Sequence, residues 1–103
     1  MSHRREKLLE MLKSSPDDPF LHYGLAMEER AAGDLPAALL GLQKVLELDR
    51  DYVAAWFHQG QVLAELGERE RAREVLAEGI DVARRVGDQH ALDEMTGFLG
   101  EIG

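Results

Sequence analysis

One recurrence constrains this chain more than any other feature. A shift of 34 residues carries Gly67 onto Gly33, Glu68 onto Asp34, Ala72 onto Ala38, Leu76 onto Leu42, Ile80 onto Leu46 and Val82 onto Leu48. Upstream, the same shift carries Trp56 onto His22, Phe57 onto Tyr23 and Gly60 onto Ala26. A fixed period of this length marks a supersecondary unit that buries its apolar face only by stacking on its neighbours. The better-defined copy shows what that unit is. Trp56, Gln59/Gly60, Leu63 and Leu66 fall at helical spacing. Gly67 stands where the helix must end, because glycine enters the left-handed conformation without steric cost. Ala72, Leu76, Gly79 and Ile80 open a second stripe. The small residues Gly60 and Ala72 on facing stripes let the two helices approach closely. The unit is an antiparallel helical hairpin anchored on Trp56, and the expected class is all-α.

The rest of the chain fits helices around this pair. Ser2 to Ser14 predicts a first helix with Leu8, Leu9, Met11 and Leu12 inward and Arg4, Arg5 and Lys7 outward. The run Ser14-Ser15-Pro16-Asp17-Asp18-Pro19 breaks it. Asp18 suits an N-cap and Pro19 a first helical position for a helix over Phe20 to Ala32. Leu35 or Pro36 to Leu48 is its partner, capped by Asp34, with Ala38, Leu39, Leu42, Val45 and Leu46 inward. Val53 to Leu66 and Arg69 to Val86 form the second hairpin. Arg69, Glu70, Arg71, Arg73 and Glu74 place mixed charge on an outer face, where local pairs are expected. Gly87-Asp88 begins a last helix to Ile102, with Ala91, Leu92, Met95, Leu99 and Ile102 at helical spacing. Gly97, Gly100 and Gly103 weaken that helix.

The residues of the repeat resemble the tetratricopeptide repeat, whose pattern is Trp-x2-Leu-Gly-x2-Tyr, then Ala-x3-Phe, then Pro. The copy Val53–Val86 shows Trp56-x2-Gln59-Gly60-x2-Leu63, then Ala72-x3-Leu76, with Arg84 at the proline position. The copy Pro19–Tyr52 shows His22-x2-Leu25-Ala26-x2-Glu29, Ala38-x3-Leu42 and Arg50. A second register, with Phe20, Tyr23, Gly24 and Met27 in the signature positions, needs two further residues before Gly33. The ungapped register keeps one period. The resemblance implies antiparallel helix-turn-helix repeats stacked into a short right-handed superhelix, within one domain over 1–103. On that reading residues 2–15 are a capping helix, matching the Phe-to-Pro half of a preceding repeat from Leu8 to Pro16. Residues 19–52 and 53–86 are the two repeats, and 87–103 a C-terminal cap. A cap at each end is expected to complete the stack.

Composition narrows the function. There is no cysteine, so neither a disulfide framework nor a cysteine zinc site exists. No apolar run is long enough to cross a membrane, and the basic start Met-Ser-His-Arg-Arg lacks the apolar stretch of a signal peptide, so cytoplasmic residence is expected. The net charge of −8 repels phosphate backbones and argues against nucleic acid as a partner. It serves solubility, and otherwise favours a basic partner or a saline cytoplasm. The first 13 residues hold four basic and two acidic side chains, whereas residues 88–103 hold four acidic and no Lys or Arg.

Catalytic and metal chemistry finds little to work with. His3, His22, His58 and His90 form no His-x3-His or His-Glu-x2-His pair, which would place two ligands on one helix face. His3 behind a free amino terminus is a geometry for copper or nickel that removal of Met1 destroys. Gly24, Gly33 and Gly41 make no phosphate loop, and no serine lies between glycines as in a nucleophile elbow. Glu28 and Glu29 lie beside the apolar Ala26, Met27, Ala31 and Ala32. A carboxylate there needs a partner, so the helix is expected to turn both to its rim against Arg30 or a base from another helix. A small enzyme or metal carrier using His22, His58 and Glu28 is the remote alternative. No cofactor is implied.

Surface recognition remains. In the family this chain resembles, the first helix of each repeat lines a concave groove, and peptide contacts come from its positions two, five, nine, twelve and thirteen. Those positions hold Phe20, Tyr23, Met27, Arg30 and Ala31 in the first copy, and Ala54, Phe57, Gln61, Ala64 and Glu65 in the second. The lysines and asparagine that grip a chaperone C-terminus are absent from them. The resemblance thus implies a non-enzymatic module binding a protein or peptide segment, of unknown identity, in that groove. The alternative is a homodimer whose groove is occupied by a second copy.

Overall fold

The computed structural model describes residues 3–103 and contains six α-helices and, among these residues, no strand. They are α1 (His3–Ser14), α2 (Pro19–Ala31), α3 (Leu35–Leu48), α4 (Val53–Glu65), α5 (Arg69–Val86) and α6 (Gln89–Ile102). The expected start of α1 at Ser2 lies outside the described residues. The chain forms two compact units, one up to Arg50 and the other from Asp51 onward.

In the first unit α2 and α3 form the hairpin. Asp18 caps α2 by accepting from the Phe20 amide at 2.9 Å, with Pro19 at the first position. Asp34 caps α3 by accepting from the Ala37 amide at 3.2 Å. Between them Gly33 takes φ +85°, a left-handed conformation that leaves the end of α2 closed by backbone bonds. The Asp34 amide donates to the Glu29 carbonyl at 2.9 Å and the Gly33 amide to Arg30 at 3.0 Å. Leu21, Ala26, Ala38, Leu42 and Val45 are the core, and Leu39 and Leu46 are half-buried around it. A Cβ added at Gly41 would stand 3.0 Å from that of Ala26, so this hairpin closes through small residues.

The second unit repeats the closing turn of this hairpin, while its N-caps, Tyr52 and Glu68, make no side-chain cap bond. Gly67 takes φ +82°, the Glu68 amide donates to Leu63 at 2.8 Å and the Gly67 amide to Ala64 at 3.0 Å. Leu21 corresponds to the buried Ala55 and Ala26 to the buried Gly60, which establishes the ungapped register. Phe20, required inward by the other register, is 63% exposed. A Cβ at Gly60 would lie 2.5 Å from Leu76, and one at Gly79 would lie 2.6 Å from Trp56 and 2.7 Å from Met95. These two glycines bring α4 onto α5, and α5 onto α4 and α6. The core is Ala55, Trp56, Val62, Leu63, Ala72, Leu76, Val82, Ala83 and Met95. Asp51 accepts from Arg85, with the nearer contact at 2.5 Å, tying the residue before Tyr52 to the end of α5. That carboxylate raises the Arg85 pKa above its ordinary value.

The first helix departs from expectation. Leu8 is its one buried residue among those described, seated on Gly24 of α2. Leu9 and Met11, expected inward, are 37% and 48% exposed, and Arg5, expected outward, points to α2. A helix with one neighbour buries a narrow stripe, here Arg5, Leu8 and Leu12, and both flanks stay open.

Candidate functional site

On α2 the residues Phe20, Tyr23, Met27 and Arg30 follow one another at three- and four-residue steps, so they form one stripe along the helix. The core uses the other side through Leu21 and Ala26, which leaves Tyr23, Met27 and Arg30 half-buried and Phe20 and Ala31 exposed. The flank is held by α1. Arg5 Nε donates to Glu29 Oε1 at 2.6 Å, and Arg4 Nε lies 3.8 Å from Glu28 Oε2. Glu28 and Glu29 are therefore rim carboxylates paired by bases from a neighbouring helix, as their position beside apolar residues requires. Burial raises the pKa of the Tyr23 phenol above its ordinary value, and the positive charge of Arg30 works against that rise. The ring is thus a partly desolvated, rigid apolar plate with a polar tip.

On α4 the corresponding stripe is Ala54, Phe57, Gln61 and Ala64, with Glu65 beside it. Ala54 and Glu65 are exposed, and Phe57, Gln61 and Ala64 are half-buried. Here α6 flanks the stripe. Phe98 meets Phe57 edge to face, with ring centroids 6.1 Å apart. Near the turn at Gly67, Ala64 borders an open depression of about 700 Å³ with Arg69, Glu101 and Ile102. Sequence spacing did not reveal the Phe57–Phe98 contact. The expected inward set for α6 was Ala91, Leu92, Met95, Leu99 and Ile102, and Phe98 lies one step outside it on the same helical face.

The histidines make separate contacts. His22 donates a ring N–H to the Pro16 carbonyl at 2.7 Å, fixing the loop before α2. His58 lies against its neighbour Phe57, and His90 lies 3.3 Å from Glu94 on α6. Among the described residues no three His, Asp or Glu side chains come together as a metal site. No described helix is long and apolar enough to cross a membrane.

Hairpins of two helices joined through a left-handed glycine, recurring with one register, define a helical-repeat protein. Residues 29–92 match the model of the tetratricopeptide repeat, and the chain belongs to that family. A TPR repeat-containing protein of Pseudomonas aeruginosa is 34% identical over 97 residues, which cover 94% of this chain and 92% of that protein. The solution structure of a Bordetella parapertussis protein superposes with a TM-score of 0.87 at 30% identity, covering 99% of this chain and 89% of that one. The TPR2B domain of yeast Sti1 shares the fold, with a TM-score of 0.90 at 19% identity, covering 95% and 78%.

Proposed function

We propose that this chain is a non-enzymatic interaction module that holds a segment of a partner protein, with Tyr23, Met27 and Arg30 of α2 and Phe57 and Gln61 of α4 as the principal contacts. Phe20, Ala31, Ala54, Ala64 and Glu65 border them. The observation that carries this reading is the α2 stripe. An aromatic plate, an adaptable thioether and a guanidinium lie along one helix face and remain accessible while the opposite side is core. Large apolar groups with a charged neighbour are the composition of an interface centre. Met27 adapts its shape to different side chains, and Arg30 offers a fork for a carboxylate. The family supplies the class of ligand, since such domains bind peptides and proteins. The yeast domain named above was solved in a complex with pHsp70. The grip that some family members make on a chaperone C-terminus is not carried over, because Tyr23, Met27, Ala31, Phe57, Gln61 and Glu65 occupy the positions it uses.

Selection from a phage-displayed random peptide library tests the assignment. Wild type enriches a consensus with a large apolar residue, and the Tyr23→Ala/Met27→Ala variant, folded by circular dichroism, loses those peptides by tenfold or more, about the effect of one interface hot spot. Undiminished capture by the variant overturns the assignment of α2.

A further inference from the structure

We propose, on the assignment of the α4 stripe to recognition, that Phe98 of α6 is a further contact for the partner segment and that, with Phe57, it selects an aromatic side chain. α4 and α6 each pack mainly on α5 and only lightly on one another, which leaves a furrow between them. At one end Phe98 meets Phe57, with the ring planes 75° apart. Further along, Ile102 of α6 and Ala64 of α4 border the open depression. Phe98 and Ile102 are four residues apart, and Phe57, Gln61 and Ala64 follow at four- and three-residue steps, so each set keeps to one helix face. α6 is seated by Met95, which is fully buried against Gly79 of α5. Phe98 and Phe57 are only half-buried, so both rings keep surface for a third group.

The charges along the furrow identify the occupant. Arg69 of α5 and Glu101 of α6 both line the depression, and among the described residues neither has an ion-pair partner. The other carboxylates of α6 are engaged, Asp93 by Gln89 at 2.9 Å and Glu94 by His90 at 3.3 Å. Arg73 of α5 donates to Glu70 and to the Gly103 carbonyl. One free cation and one free anion balance around a neutral occupant, and an extended backbone offers a carbonyl to Arg69 and an amide to Glu101. The occupant is thus an uncharged, extended stretch of the partner carrying one aromatic side chain. Seated in the corner between the two rings, that side chain meets an aromatic face on one side and an edge on the other, contacts that aromatic groups favour.

The test is fluorescence anisotropy of a labelled peptide selected from the displayed library on the wild-type chain, titrated with Phe98→Ala, Phe98→Leu and Phe57→Ala, each checked for its fold by circular dichroism. Phe98→Ala is expected to weaken the peptide by about tenfold or more. Phe98→Leu keeps the apolar packing of α6, and the library selected again on it is expected to exchange the aromatic residue of the consensus for an aliphatic one. If Phe57→Ala loses the peptide while both Phe98 variants bind it as wild type does, the role of Phe98 is overturned and the α4 stripe stands. An unchanged consensus on Phe98→Leu overturns the selection of the aromatic side chain. Binding unaltered by all three variants, or a wild type that enriches no peptide, overturns the stripe and the role of Phe98 together.

Discussion

At Gln59 the chain places an amide where the family pattern has leucine. The side chain is 7% exposed, and its Oε1 is buried without a hydrogen-bond partner among the described residues. An unsatisfied buried acceptor carries the full cost of its lost hydration. Gln59→Leu is expected to stabilise the protein by about 1–2 kcal/mol in urea unfolding. The glycines divide by surroundings. Gly60→Ala forces a methyl against the fully buried Leu76, and overpacking of roughly 1–3 kcal/mol outweighs the helix-propensity gain. Gly97→Ala meets no neighbour and is expected to stabilise the monomer by about 0.5–1 kcal/mol. Thermal melts of the two variants should therefore move in opposite directions. Tyr23 adds a pH effect. Its folded pKa lies above the ordinary 10.0, so the unfolded chain ionises first. The stability it contributes is complete below that pH and is lost as pH rises from there through the folded value. Alkaline unfolding of Tyr23→Phe should lack this component.

At the scale of the element, what was legible in the sequence is what local chemistry decides. Asp18, Asp34, Pro19, Gly33 and Gly67 place the ends of α2, α3 and α4 within about a residue, because caps and left-handed glycines act on their own turn. The register of α2 needed the structure. Its signature positions hold His22 and Glu29, whose helix-packing role is not visible in their chemistry. The orientation of α1 was not legible either. Hydrophobic spacing put Leu9 and Met11 inward, but a helix with one neighbour has no second surface to receive them. The pairing of Arg5 with Glu29 is tertiary and 24 positions long, beyond any local pattern. Glu29 is 13% and Arg5 31% exposed, so Arg5→Ala leaves a poorly hydrated carboxylate unpaired. The cost is roughly 1–2 kcal/mol, below that of a fully buried pair because water reaches the guanidinium. Amide exchange should accelerate in α1 first, and adding Glu29→Gln should recover part of the loss.

For the whole molecule, the recurrence that specifies the hairpins also spaces the candidate contacts. Tyr23 and Phe57 are one period apart and lie on the corresponding helices of their units. Their surroundings differ, since α1 flanks the first stripe with ion pairs and α6 flanks the second with Phe98. The candidate contacts follow from the family's pattern and the sequence also places a helix before and after the repeats, whereas the contacts of those helices, Arg5 with Glu29 and Phe98 with Phe57, were not legible, because they are tertiary. Recognition by the α2 and α4 stripes is open to a residue-by-residue test. Nuclear magnetic resonance of the isotope-labelled chain, titrated with a library-selected peptide, addresses it most directly. Shifts and broadening are expected to concentrate at Tyr23, Met27, Arg30, Phe57 and Gln61. Changes confined to α3 and the outer face of α5, with those five residues unmoved, would contradict it.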